Sequence, residues 1–308
     1  MNRREFLGVG MLAAVAASAG QIGGAEHCAV GVQRRGCPFR LGVAGYTYVR
    51  HSLDMTLAEL RKFDVGWLCA KDFHFPLKAS DAELKALVAK ANDFGVKLYG
   101  AGPITMKTPD EVKRAFDYCA VLGVPTVVGV PCTLKYPEKG GWKGLAGDRA
   151  LCELCSAKAD EYKLDFAIHN HGRNPETGVP TLYATIPDTF EMIRDLSRRM
   201  GFCVDIAYTQ ADGLDPATIL RTYAPRVFDV HVRNTSILDN GSSGAAADVG
   251  KIDYVRVFRA LKEIGYSGVC GLELANAFAK PGSINPGSDP SWIPRSLGYF
   301  RGLMDALA

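Results

Sequence analysis

From Arg40 onward the apolar positions of this chain change period in a regular alternation. Short, nearly continuous apolar runs at residues 41–47, 65–72, 97–102 and 126–130 read as buried strands. Between them lie stretches with apolar side chains every three or four residues, the spacing of one helical face. Helices are expected over 56–63, from Ser80, from Thr108 and over 147–163. Ser80-Asp81-Ala82-Glu83 offers a hydroxyl to an orphan amide of the first turn and a glutamate that reaches back, a capping box. Leu84, Leu87, Val88 and Ala91 then keep one face until Gly95 ends the helix. Thr108 before Pro109 is a second helix start of cap and proline.

Four further runs follow, and each ends in a side chain able to bind a metal. They are Asp165-Phe166-Ala167-Ile168-His169-Asn170-His171, Gly201-Phe202-Cys203-Val204-Asp205, Val227-Phe228-Asp229-Val230-His231 and Gly268-Val269-Cys270-Gly271-Leu272-Glu273. Helical patterns at 188–199, 216–223, 254–264 and 294–307 complete eight strand–helix units without a composition break. Such alternation implies a parallel sheet, and eight units imply closure into a single (β/α)8 TIM barrel over residues 40–308. A doubly wound open sheet is the competing architecture. Gly241 to Ala247 marks a flexible loop after the seventh run, and Pro281, Pro286, Pro290 and Pro294 an extended loop before the last helix. Both loops follow strand C-termini, where the active sites of such barrels lie.

The first residues change the picture of where the protein works. Arg3-Arg4, then Phe6-Leu7, then an Ala-rich apolar run ending in Ala17-Ser18-Ala19 form a twin-arginine export signal with a small-residue cleavage site. The expected divisions are a signal at 1–19, an N-terminal extension at 20–39 and the barrel. The apolar run is shorter than a spanning helix, so no stable membrane insertion is expected after processing, and the address is periplasmic or otherwise exported. Gly8-x-Gly10-x-x-Ala13 mimics a dinucleotide fingerprint, but no strand precedes it.

Charge excludes another class. The chain has 36 basic and 33 acidic residues, a net charge of +3, and no basic stripe, so nucleic acid is not an implied partner. Its nine cysteines have no small-secreted-domain spacing. Cys69, Cys119, Cys203 and Cys270 fall in apolar patterns and read as buried thiols. Cys152-x-x-Cys155 falls mid-helix rather than at a helix start, against a redox role. Cys28 and Cys37 could pair in the periplasm.

If the last four runs are neighbouring parallel strands, His169, Asp205, His231 and Glu273 emerge at one end of one sheet. Mixed imidazole and carboxylate donors suit a divalent transition metal such as Mn, Zn, Co or Fe. Each residue has a plainer reading: Asp205 as a helix cap, His231 as a hydrogen-bonded core residue. Placement favours the site, since His74, His169, His171 and His231, four of six histidines, fall at strand C-termini. The first strands add Tyr46 and Tyr48 at one end and Lys71-Asp72-Phe73-His74 at the next, where Lys71 could simply pair with Asp72 or Glu273.

Ala167 to Gly172, Cys203 to Tyr208, Asp229 to Asn234, Gly271 to Glu273 and the unit from Gly250 to Glu273 resemble the xylose-isomerase-like TIM barrels, which include sugar isomerases, epimerases and apurinic endonucleases. The resemblance spans about Arg40 to the C-terminus and implies a metal-dependent enzyme acting on a small carbohydrate, with a homo-oligomer possible. The family's ketose epimerases hold metal through Glu, Asp, His and Glu, and the two glutamates exchange the proton. Three positions carry over, to Asp205, His231 and Glu273. The first glutamate is replaced, because Glu-Asn-His of the family is here His169-Asn170-His171. Tyr208 stands where a histidine follows the aspartate, and Arg233-Asn234 replaces Lys-Asp.

These residues imply proton abstraction next to a carbonyl, with Glu273, Lys71 or His171 moving protons. Tyr46, His74, Asn170, Tyr208 and Arg233 are the expected substrate contacts. Reprotonation of an enediolate gives isomerase or epimerase chemistry, the first expectation. Loss of a β-substituent gives 3-keto-glycoside cleavage, the alternative. A non-catalytic carbohydrate-binding barrel is the third. An apurinic endonuclease needs further His and Glu ligands and a basic face, neither of which is visible.

Overall fold

The computed structural model describes residues 36–132, 145–172, 183–235, 244–274 and 289–308. The expected signal at 1–19, Cys28 and most of the 20–39 extension lie outside the described residues, as do 241–243, Pro281 and Pro286. Among the described residues no helix is long and apolar enough to cross a membrane.

The first half runs β1 (Arg40–Ala44), α1 (Leu53–Lys62), β2 (Trp67–Ala70), α2 (Asp81–Asp93), β3 (Lys97–Met106), α3 (Pro109–Leu122), β4 (Thr126–Pro131) and α4 (Leu145–Tyr162). The second begins β5 (Asp165–His169), α5 (Ile186–Ile193), β6 (Met200–Asp205), α6 (Ile206–Ala211), α7 (Pro216–Thr222) and β7 (Val227–Val232). It ends β8 (Asn234–Thr235), β9 (Gly244–Ala245), α8 (Tyr254–Glu263), β10 (Val269–Leu272) and α9 (Trp292–Ala306). Eight strands close in the order β1-β10-β7-β6-β5-β4-β3-β2, and β8 and β9 form a separate antiparallel pair. All eight barrel pairings are parallel, from β1 with β2 round to β1 with β10. The (β/α)8 expectation holds, and the open sheet is excluded.

Local rules explain most element ends. The Ser80 capping box forms in full: Ser80 Oγ accepts from the Glu83 amide, and the Glu83 carboxylate accepts from the Ser80 amide at 2.8 Å. Thr108 caps α3 above Pro109, and Gly123 ends it in the left-handed region at φ 69°. Several expected bounds shift. The run at 41–47 stops as a strand at Ala44 and turns through a 3-10 segment, Gly45–Tyr48. Asp205 starts the unforeseen α6, and the expected flexible loop at 241–247 instead contributes β9 and the buried Ala246 and Ala247. Pro294 lies in the first turn of α9, where its missing N–H removes no helical hydrogen bond.

The main core lies between strands and helices. At the seam joining the barrel's two ends, Phe39 packs edge-on to Phe258 at 5.1 Å and Tyr254 to Phe300 at 4.7 Å. Burying each such ring contributes about 1.5–3 kcal/mol. A second cluster of Cys69, Tyr99, Val128, Ala167, Cys203 and Val269 fills the barrel interior. Gly271 is required there, because a Cβ at that position would sit 2.1 Å from the Tyr99 hydroxyl oxygen.

Candidate metal centre

Strand register assembles the site. Asp205 lies beside His231 across β6 and β7, Gly271 beside His231 across β7 and β10, and His169 beside Cys203 across β5 and β6. Glu273, one residue past β10, therefore reaches the same end of the barrel as the other three. Thr47 fixes it there: its hydroxyl donates to the Leu272 carbonyl at 2.8 Å and accepts from the Leu274 amide at 2.9 Å. The Glu273 amide itself donates to the Val232 carbonyl at 3.1 Å.

His169, Asp205, His231 and Glu273 each bring one donor atom to within 4.8 Å of the others. His169 Nε2 is 3.1 Å from His231 Nδ1, which is 3.2 Å from Glu273 Oε2, and the third side measures 3.9 Å. Four donors held tetrahedrally at about 2.1 Å from a cation stand about 3.4 Å apart. Three buried donors at that spacing fit a divalent metal, and their chemistry suits Zn, Mn, Co or Fe.

Asp205 is already engaged on both oxygens. Its Oδ1 accepts from the Tyr208 amide at 2.8 Å as the cap of α6, and its Oδ2 from Arg233 Nε at 3.2 Å. The cap reading and the ligand reading are compatible, since each carboxylate oxygen has a second lone pair. Arg233 spreads over the Tyr208 ring at 4.4 Å. Burial opposes the guanidinium charge, but Asp205, Tyr208 and Glu273 outweigh it and hold the proton more firmly than usual.

The same contest sets the charge of the central pair. Burial alone would raise the Glu273 carboxyl, yet the His231 and His169 imidazoles hold it well below the usual carboxylate range. His231 is pushed up against its own burial by Cys203, Glu273 and Asp229. His171 goes the other way: burial and His169 push it down to about 3, leaving a neutral imidazole at neutral pH. Its ring lies 4.6 Å from that of His169 and 6.0 Å from Tyr208.

The remaining expected site residues divide into two groups. Asn170 is buried beneath the cluster, where its Oδ1 accepts from the Asp205 amide at 2.8 Å and its Nδ2 donates to Thr209 at 3.4 Å. It orients Asp205. Tyr46 and Lys71 stand together at the ends of β1 and β2, with the ammonium 6.0 Å from the ring centroid. Lys71 donates to the Pro103 carbonyl at 2.7 Å and pairs with Asp72, not Glu273, at 3.1 Å. His74 is turned inward, its Nε2 3.1 Å from Thr56 Oγ1 and 3.0 Å from the His51 carbonyl. Sequence reasoning missed Thr47, Thr209 and Asp229. Asp229 alone had a legible signal, because it lies two residues before His231 and so on the same face of β7.

A sequence model of the xylose isomerase-like TIM barrel family matches residues 44–301. The chain belongs to this family. Among solved structures, this xylose isomerase-like barrel resembles the zinc-containing IolI protein at 20% identity and TM-score 0.68, over 87% of this chain and 99% of that one. It resembles a D-tagatose 3-epimerase-like protein at 18% and 0.67, over 87% and 97%. A D-psicose 3-epimerase crystallised with D-fructose gives 17% and 0.65, over 86% and 99%. These are likenesses of fold. No curated protein sequence matches the chain.

Proposed function

We propose that this barrel is a metal-dependent sugar isomerase or epimerase that abstracts a proton next to a carbonyl. The observation that carries the reading is the buried triangle of His169, His231 and Glu273, with Asp205 within reach. A divalent cation held there supplies Lewis-acid stabilisation of negative charge on a substrate oxygen. Family membership and the epimerase-like and zinc-containing fold relatives support a sugar as substrate and a cation as cofactor.

The chain's own groups then have separable tasks. The His231 and His169 imidazoles hold Glu273 ionised, which leaves it free to accept the substrate proton while making it a weaker base than an ordinary carboxylate. His171, beside His169, is the second candidate for proton transfer; burial opposes its charged form, so it would hold a proton only transiently. The guanidinium of Arg233 keeps a fixed positive charge beside Asp205, favouring an electron-rich, enediolate-like substrate. Lys71 and Tyr46, on the opposite side of the barrel mouth, form a cation and an aromatic wall for the rest of the sugar.

One observation favours a second reading. His169 occupies the β5 position, so Glu273 is the one carboxylate in the triangle, and two-faced exchange between a pair of glutamates is not built here. A single base followed by loss of a β-substituent describes a 3-keto-glycoside lyase. NMR of ketoses and 3-keto-glycosides in D2O with Zn- or Mn-loaded protein decides. Deuterium uptake with the product retained as a sugar isomer supports the first reading. Release of an aglycone with an unsaturated keto-sugar replaces it with the lyase. Sugar binding with neither leaves a carbohydrate-binding barrel. We further propose export by the twin-arginine route, supported by Arg3-Arg4 and the Ala-rich run. Replacing both arginines by lysine in the full chain is expected to keep it in the cytoplasm.

A further inference from the structure

Below the metal-facing edge of His231 the barrel interior holds a carboxylate that no proton-transfer or metal-binding role has claimed. Asp229 is 2% exposed and sits on β7 two residues before His231, so both side chains point inward. Its Cα partner on β6 is Cys203, and the surrounding interior holds Val128, Ala167, the thiols Cys69 and Cys203, and the buried phenol of Tyr99, which feels the Asp229 charge. Asp229 Oδ1 accepts from the Val230 amide at 2.8 Å. Its Oδ2 faces His231 Nε2 at 3.4 Å. Neither of these two buried atoms makes another hydrogen bond among the described residues.

A carboxylate enclosed in this way is strongly penalised unless it meets a donor or a positive charge. The imidazole has one edge for each purpose. Its Nδ1 is turned to His169 and Glu273, and its Nε2 to Asp229. A histidine that ligates through one nitrogen ordinarily donates the other N–H to a carboxylate, carbonyl or water, which fixes both tautomer and ring plane. Two thiols, Cys69 and Cys203, also lie near the His231 ring. A thiol sulfur is a weak acceptor beside a carboxylate oxygen, so the Asp229 carboxylate is the better partner for the Nε2 proton.

We propose that Asp229 is a positioning residue that accepts the Nε2 proton of His231 and so presents an unprotonated Nδ1 to the metal. The proposal rests on the metal reading for what the tautomer is used for, but the tautomer can be read without metal.

The first experiment uses metal-free protein labelled with 15N-histidine and long-range 1H–15N correlation, with His231 assigned by its loss in His231→Gln. A proton on Nε2 is expected throughout, joined by one on Nδ1, facing Glu273, while the ring is charged; a ring protonated on Nδ1 alone overturns the proposal. The second measures Zn2+ affinity by competition with a chromophoric chelator in Asp229→Leu and Asp229→Asn. Leucine removes the acceptor, and about a 10–100-fold loss of affinity is expected. Asparagine keeps an acceptor oxygen and is expected to lose less. Parent-like affinity in both variants overturns the proposal while leaving the metal reading intact. If the parent itself binds no Zn2+, the metal reading fails and the NMR result still decides the tautomer. Should the leucine variant not fold, the asparagine variant and the NMR measurement carry the decision.

Discussion

The two halves of the barrel are built by the same rules and do different work at their open ends. From β5 to β10 the strand ends present His169, Asp205, His231 and Glu273, whose donor atoms converge to within 4.8 Å. From β1 to β4 they present Tyr46 and Lys71 after β1 and β2, Met106 at the end of β3 and Pro131 at the end of β4. The proposed ligands of the second half also draw hydrogen bonds, to Asp205 from Asn170 and Tyr208 and, across the seam, to the backbone around Glu273 from Thr47 at the end of β1. In the first half the corresponding bonds tie the chain to itself, as His74 does with Thr56 and His51. A cluster of metal-capable donors on one side and a cation with an aromatic ring on the other fits the proposed division between chemistry and substrate placement.

Four measurements can break or sharpen that division. The largest effect is expected from Glu273→Gln, which removes the one carboxylate of the triangle. Zn2+ affinity by calorimetry should fall by more than about 100-fold, and turnover should vanish, as it should also on chelation. Activity that persists in a fully chelated sample would sink the metal centre. Asp205→Asn comes next, because it leaves the buried Arg233 without its partner. Urea unfolding should show a loss of about 3–5 kcal/mol, together with weaker metal binding.

Lys71→Met tests the other half. If the ammonium places substrate, KM for the sugar should rise about tenfold with kcat and Zn2+ affinity unchanged; a fall in kcat of about 10²–10⁴-fold would instead make Lys71 a proton-transfer group and erase the division. A loss of metal in this variant would show that the two halves are not separable. The smallest effect is expected from Ser80→Ala in the α2 cap. It should destabilise by about 1 kcal/mol in urea and leave both metal and turnover untouched.

What was legible in the sequence follows from what is local. The capping box at Ser80, the proline start of α3 and the apolar strand runs are dictated by residues within a turn or two of each other, so the expected elements formed nearly where placed. The site residues were also legible as strand-end residues, because a parallel barrel puts every strand end on one rim. Where boundaries failed, the competing contact came from far along the chain. The strand at 41–47 ended early because Thr47 turns to clasp residues near Glu273, 225 positions away. The loop at 241–247 became partly ordered because β9 pairs with β8 and the Ala247 amide donates to Ser296.

By itself the sequence determined an eight-unit α/β chain, four metal-capable side chains at successive strand ends, and a histidine where a glutamate was expected. Only the tertiary structure decided that Asp205 is shared between a helix cap and Arg233, that Lys71 pairs with Asp72 rather than Glu273, and that Asp229 stands behind His231. The physical reason is that pattern and propensity act over a few residues, whereas a carboxylate's charge and partners depend on which strands close beside it. Register and barrel closure set those neighbours, and they set the distances on which metal binding and proton transfer depend.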